Sequence, residues 1–62
     1  MTKLTPAQMA DYAKLKSYYP YRLFFLVTEK GSSEAVVWAL RDKRAVNKVL
    51  RDGGEVSEIH DA

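Results

Sequence analysis

Residues 18–29 of this 62-residue chain, YYPYRLFFLVTE, carry the pattern from which its fold can be predicted. A proline among three tyrosines is followed by a run of aromatic and branched residues, which is typical of a β-strand. Because side chains alternate along a strand, Phe24 and Leu26 lie on one face. The other face carries Tyr21, Leu23, Phe25 and Val27. Both faces are apolar, so the sequence predicts a central strand that needs cover on two sides.

The segment before this strand has the start signals of a helix. Thr5 is placed as an N-cap, Pro6 suits the first helical position, and Gln8 completes a capping box. Pro20 disfavours helical backbone at the residue before it. We therefore predict a helix over residues 6–18.

The rest of the chain predicts a hairpin, a second helix and a short third strand. The polar segment 29–34 connects the first strand to AVVWAL, residues 35–40. Asp42 is placed to cap a helix of about residues 42–52, which Gly53 and Gly54 end. The tail predicts a strand over 55–61, with Val56 and Ile59 on opposite faces.

These elements predict one α+β domain over residues 1–62, in the order α-β-β-α-β. A strand after a crossover helix returns parallel to the strand before that helix, which gives a three-stranded antiparallel sheet of order 2-1-3. One or two helices pack on it. We expect the second helix to cover the Phe25 face with Val46, Val49 and Leu50. The Phe24 face is left open: either Met9, Tyr12 and Leu15 of the first helix cover it, or a partner does.

Composition excludes several classes of protein. The chain has no cysteine, hence no disulfide or thiolate chemistry, and this fits a reducing compartment. Its longest apolar runs, LFFLV and AVVWAL, are far shorter than the ~20 residues that cross a bilayer. The first residues lack the apolar core of a secretory signal. We therefore expect a cytoplasmic protein without a membrane partner.

No group of residues predicts catalysis. The single histidine, His60, stands between Ile59 and Asp61 near the chain end, where groups are poorly held in place. No serine lies in a nucleophile motif, and the spacing of the acids matches no metal motif. We expect no enzyme, no metal, no cofactor and no small-molecule substrate.

A basic segment supplies one hypothesis about function. Five of the ten basic residues lie within residues 41–51, opposed there only by Asp42. On a helix, Arg44, Lys48 and Arg51 form one stripe. With Lys43, these residues could bind a phosphate backbone, although an ordinary solvated helix face carries similar charge and the acidic tail partly neutralises it. A small nucleic-acid-binding domain is therefore the alternative hypothesis.

The surplus of apolar sheet surface supplies the first hypothesis. Trp and Arg dominate interface hot spots, and the candidate contact residues are Arg22, Phe24, Leu26 and Trp38. The layout of a hairpin, a helix and a final strand resembles that of small virus-encoded proteins that bind and inhibit host machinery. We expect a non-catalytic protein-binding module, such as a phage or mobile-element inhibitor of a host protein. The partner is a host factor or a second copy, since the edge strand AVVWAL can pair with itself.

Overall fold

The computed structural model describes residues 4–60, and its elements follow the predicted order α-β-β-α-β. They are α1 (Pro6–Tyr18), β1 (Leu23–Thr28), β2 (Val36–Leu40), α2 (Arg44–Arg51) and β3 (Glu55–Glu58). The three strands form one sheet in the order β2-β1-β3, and both pairings are antiparallel. The predicted fold class and strand order are confirmed.

The bounds of α1 match the prediction because both ends carry local signals. The Thr5 hydroxyl accepts a hydrogen bond from the Gln8 N–H at 3.2 Å, and the Gln8 side chain accepts one from the Thr5 N–H at 2.9 Å. This reciprocal pair is the capping box. The helix ends at Tyr18, just before Tyr19 and Pro20.

The α1 side of the sheet is closed by α1 itself. Phe24, Val37 and Ile59 form a buried cluster. The side chains packed against it are Leu4, Tyr12, Leu15, Leu26 and Ala39. The Tyr12 ring meets Phe24 edge to face, with ring centroids 5.2 Å apart, a favourable aromatic geometry. Met9, expected in this cover, is exposed, and Leu4 packs there instead.

The α2 side of the sheet has a separate cluster of Phe25, Val27 and Val46. Val49 packs against it as predicted, together with Trp38, Leu40 and Val56. Leu50, however, is 51% exposed, because Val46 and Val49 turn inward and leave Leu50 at the rim of this short helix. Tyr21 is 99% exposed, since it precedes the start of β1 and is not part of the sheet.

The helix α2 begins two residues later than predicted and ends, as predicted, just before Gly53 and Gly54. Asp42 lies outside the helix, where its Oδ1 accepts a hydrogen bond from the Arg44 N–H at 3.0 Å, and Lys43 occupies the N-cap position without a side-chain bond. Gly53 has φ +95°, a backbone conformation that residues other than glycine rarely adopt. The Gly54 N–H donates to the Val49 carbonyl at 2.9 Å and so satisfies the last turn.

The predicted third strand is present but is shorter than the predicted range of residues 55–61. It spans Glu55–Glu58, and one further bond from the Ile59 N–H to the Phe24 carbonyl extends the pairing. Val56 packs on the α2 side and Ile59 on the α1 side, which confirms their predicted opposite faces. Asp61 falls outside the described residues. Within residues 4–60, neither helix has the length and apolar character needed to cross a membrane.

Candidate protein-binding edge

Two of the four candidate contact residues lie beneath α1. Phe24 is 6% exposed, and Leu26, half-buried, packs against the same cluster. A partner therefore has no access to Phe24 while α1 is in place. The apolar side chains that motivated the protein-binding hypothesis are used to fold the domain.

The other two candidates, Arg22 and Trp38, lie beside the outer edge of the sheet. Trp38 is half-buried and packs on the α2 side, opposite to Phe24. Arg22 immediately precedes β1, and its guanidinium lies 5.3 Å from the centre of the Tyr19 ring, a cation–π geometry. The structure does not gather the four candidates into one patch, but it brings Arg22 and Trp38 into the same groove.

The outer edge of β2 has free backbone hydrogen-bonding groups, as the sheet register shows. The Ile59 N–H bonds the Phe24 carbonyl, so the polar groups of Phe24 point toward β3. In an antiparallel ladder this direction alternates, and those of Phe25 therefore point toward its partner on β2, Trp38. Val37 and Ala39, on either side of Trp38, direct their N–H and C=O groups away from the sheet.

A contact from α1 closes one end of this edge. The Gln8 side-chain amide donates a hydrogen bond to the Ala35 carbonyl at 3.2 Å. Ala35 is two residues before Val37, so its carbonyl points outward by the same alternation. The open part of the edge therefore begins after Ala35 and contains the outward groups of Val37 and Ala39.

A groove of about 380 Å³ runs along this open edge. Four residues of β2 form one wall, and the end of α1 with the following turn forms the other. The lining residues are Leu15, Tyr19, Arg22, Val37, Trp38, Ala39 and Leu40. A groove beside a free strand edge can accept one extended chain, with the edge supplying main-chain bonds and the groove supplying side-chain contacts.

Charge differs between the two ends of the edge. Asp11 and Glu34 line a cleft beside Ala35 and Val36, where β2 begins. Arg41 follows the last residue of β2, and Arg22 adjoins it because Leu23 pairs with Leu40. The edge therefore runs from an acidic start to a basic end.

The two edges of the sheet are unlike in charge. The strand β3 carries Glu55 and Glu58, and charged side chains on an edge discourage pairing with another chain. The strand β2, with sequence VVWAL, carries neither charge nor proline. The β2 edge is therefore the edge open to a partner strand.

The basic residues of the alternative hypothesis are on the surface. Lys43, Arg44, Lys48 and Arg51 are all exposed, and the α2 sequence RAVNKVLR contains no acid. The Arg44 guanidinium approaches the Asp42 carboxylate at 3.8 Å with both side chains largely exposed, a contact that contributes little. Lys48 also lines a cleft with Trp38, Glu29 and Asp52, so acids adjoin one side of the basic helix.

His60 Nε2 lies 3.8 Å from Oε2 of Glu58, and the histidine side chain is mostly exposed. Over residues 4–60, no three His, Asp or Glu residues lie close enough together to hold a metal ion.

Sequence reasoning missed Leu15 and Tyr19 as walls of the groove and Gln8 as the residue that closes its end. The helix pattern assigned Leu15 to the core, where it also packs. The contact of Gln8 with Ala35 joins residues 27 positions apart, and no local pattern encodes it.

Comparison of the chain with known protein families, characterised proteins and solved structures finds no significant match.

Proposed function

We propose that this chain is a non-catalytic protein-binding module that holds an extended segment of a partner protein against the outer edge of β2. The observation that carries the proposal is the pair of outward-facing backbone positions, Val37 and Ala39, beside an open groove. Main-chain bonds to an added strand supply affinity, and the groove supplies selectivity.

The chemistry of the groove supports a partner with an apolar side chain next to an acidic one. Leu15 and Tyr19 offer apolar and aromatic surface, and Arg22 offers a cation at the end where β2 finishes. Arginine pairs well with a carboxylate because its donors match the two oxygens. We accordingly expect the bound segment to carry Asp or Glu near Arg22.

A single backbone donor tests the use of this edge. Replacing Ala39 by proline removes the outward N–H and leaves the bonds between β1 and β2 intact. Ala39→Val is the matched control, because it adds comparable bulk and keeps the N–H. Tagged wild type, A39P and A39V are used to capture partners from the host lysate, with and without nuclease, and captured proteins are then titrated as purified components.

We expect wild type and A39V to bind the same protein in nuclease-treated lysate and A39P to bind it at least tenfold more weakly. Circular dichroism establishes that A39P is folded. Equal binding by folded A39P would place the contact elsewhere and reject the proposal.

The resemblance in layout to virus-encoded inhibitors supports a biological setting for this module. We propose that it acts in the cytoplasm as a phage or mobile-element protein that inhibits a host protein. Inhibition is tested by assaying the captured host protein with wild type and with A39P. We expect the captured host protein to lose activity when wild type is added and to keep it when A39P is added.

The exposed basic surface of α2 supports a second candidate, binding of nucleic acid through Lys43, Arg44, Lys48 and Arg51. Such binding weakens steeply as salt rises, because each neutralised phosphate releases counterions. Fluorescence anisotropy with single- and double-stranded oligonucleotides over a salt series measures it.

For this candidate, the double variant Lys48→Gln, Arg51→Gln is compared with Lys14→Gln, Lys30→Gln, which removes the same charge elsewhere. A loss confined to the α2 variant supports the candidate. Equal losses indicate attraction by net charge alone, and the absence of binding at low salt rejects it.

A further inference from the structure

We infer that the outer edge of β2 is occupied by a second copy of this chain when no partner is bound, so that two sheets join as one six-stranded sheet. The inference rests on the proposed function only in using the same edge, and it adds a mode of regulation. A partner must displace the second copy, so self-association sets the concentration at which the module is available.

The positions of the free backbone groups select one register. The free backbone groups of Val37 and Ala39 flank Trp38 symmetrically, and the Gln8 side chain already bonds the Ala35 carbonyl. In antiparallel pairing about a two-fold axis at Trp38, Val37 of each copy pairs with Ala39 of the other. This register uses both N–H groups and both carbonyls of each Val37–Ala39 pair. A shift of two positions one way places Ala39 against the Ala35 carbonyl that Gln8 already bonds. A shift the other way pairs Val37 with Arg41, beyond the end of β2.

The charges at the ends of the edge favour the same orientation. Antiparallel pairing places the acidic start of one edge, with Asp11 and Glu34, beside the basic end of the other, with Arg22 and Arg41. A parallel arrangement would place like charges together. Asp42 follows Arg41 in the chain, and its Oδ1 accepts a hydrogen bond from the Arg44 N–H.

The side chains where the two β2 strands would meet are apolar. Trp38 of each copy lies opposite Trp38 of the other in a pair without direct hydrogen bonds, where side chains are closest. Val36, 53% exposed in the single chain, lies opposite Leu40. The two-fold axis stands perpendicular to the sheet, so each face repeats and the contact is self-complementary.

Sedimentation equilibrium tests the inference on purified protein up to about 1 mM, a concentration at which association of only ~4 kcal/mol is visible. We expect the mass of wild type and A39V to rise from 7.1 kDa toward twice that value, and A39P to remain at the mass of one chain. A wild type that stays monomeric throughout overturns the inference, as does a folded A39P that associates as wild type does.

Amide hydrogen exchange of the wild-type chain provides a second measurement that needs no variant. On raising the concentration, the N–H groups of Val37 and Ala39 should become protected by at least tenfold, in step with the sedimentation mass. Association without protection at these two amides places the interface elsewhere and overturns the inference.

The two proposals fail separately. A chain that remains monomeric but captures its partner through the β2 edge refutes self-pairing and leaves the proposed function standing. A chain that self-pairs with protection at Val37 and Ala39, yet captures no partner through that edge, supports self-pairing and refutes the proposed function.

Discussion

Of the three glycines, Gly54 has the least room for a side chain. A Cβ added there would lie 2.5 Å from Cγ1 of Val49 and 2.7 Å from the carbonyl oxygen of Thr28. We predict that Gly54→Ala lowers the free energy of unfolding by about 1–3 kcal/mol, as overpacking commonly does. Urea denaturation followed by circular dichroism measures it.

The control for this prediction is Gly31→Asn. Gly31 has φ +84° in the turn between β1 and β2, with nothing within 4 Å of an added Cβ, and asparagine tolerates this conformation. A change within about 0.5 kcal/mol is expected for such a surface site. A G54A chain as stable as wild type would show that the Val49 side chain and the Thr28 carbonyl move aside at no cost.

Two aromatic residues three positions apart differ sharply in burial. Phe24 is 6% exposed and Tyr21 is 99% exposed. Phe24→Ala should cost about 3–5 kcal/mol, a large share of the roughly 3–9 kcal/mol available to a chain of this length. We predict a loss of this size for F24A in urea denaturation, while Y21A changes stability by about 0.5 kcal/mol or less. An F24A chain as stable as wild type would contradict the packing of α1 over this site.

At the scale of elements, β2 should show an alternating pattern of amide exchange. Trp38 pairs with Phe25 in the sheet, whereas Val37 and Ala39 direct their N–H groups outward. At concentrations low enough for single chains, we predict slow exchange for Val36, Trp38 and Leu40 and fast exchange for Val37 and Ala39. Two-dimensional NMR in deuterated buffer reads each amide, and the opposite alternation would show that the pairing is shifted by one residue.

The elements differ in how much of them the sequence determines. The ends of α1 are predictable because Thr5, Gln8 and Pro20 act within a few residues of themselves. The start of α2 is not, because Asp42 can bond an N–H from more than one position, and here it bonds Arg44 from outside the helix. A capping residue predicts the presence of a helix more reliably than it predicts the first residue of that helix.

The candidate site was less predictable than the fold for a physical reason. Composition reveals that Trp38 and Arg22 are suited to an interface, and alternation reveals which strand face each residue occupies. Which N–H groups of β2 face outward depends on pairing with β1 and β3, residues far apart in the chain. Phe24 and Leu26 were predicted to contact a partner because no local sequence pattern shows whether α1 packs on the sheet.

At the scale of the whole molecule, β1 is enclosed by strands on two sides and by helices on the other two. A chain starting at Tyr19 would lack α1 and would expose Phe24, Val37 and Ile59. We predict that this truncated chain does not fold cooperatively, although α2 and all three strands remain in its sequence. Proton NMR of the truncated chain tests this, and a dispersed spectrum would show that the α2 side alone sustains the sheet.

The two small clusters also bear on how freely such a chain can change over evolutionary time. Among residues 4–60, six side chains are buried, and four of them lie on β1 or its neighbour β2. Each of these positions requires only an apolar side chain of suitable volume. Descendants of one ancestor can therefore replace most of their residues and keep this architecture. Common ancestry among domains of this kind is then detectable from the structure after sequence similarity has been lost.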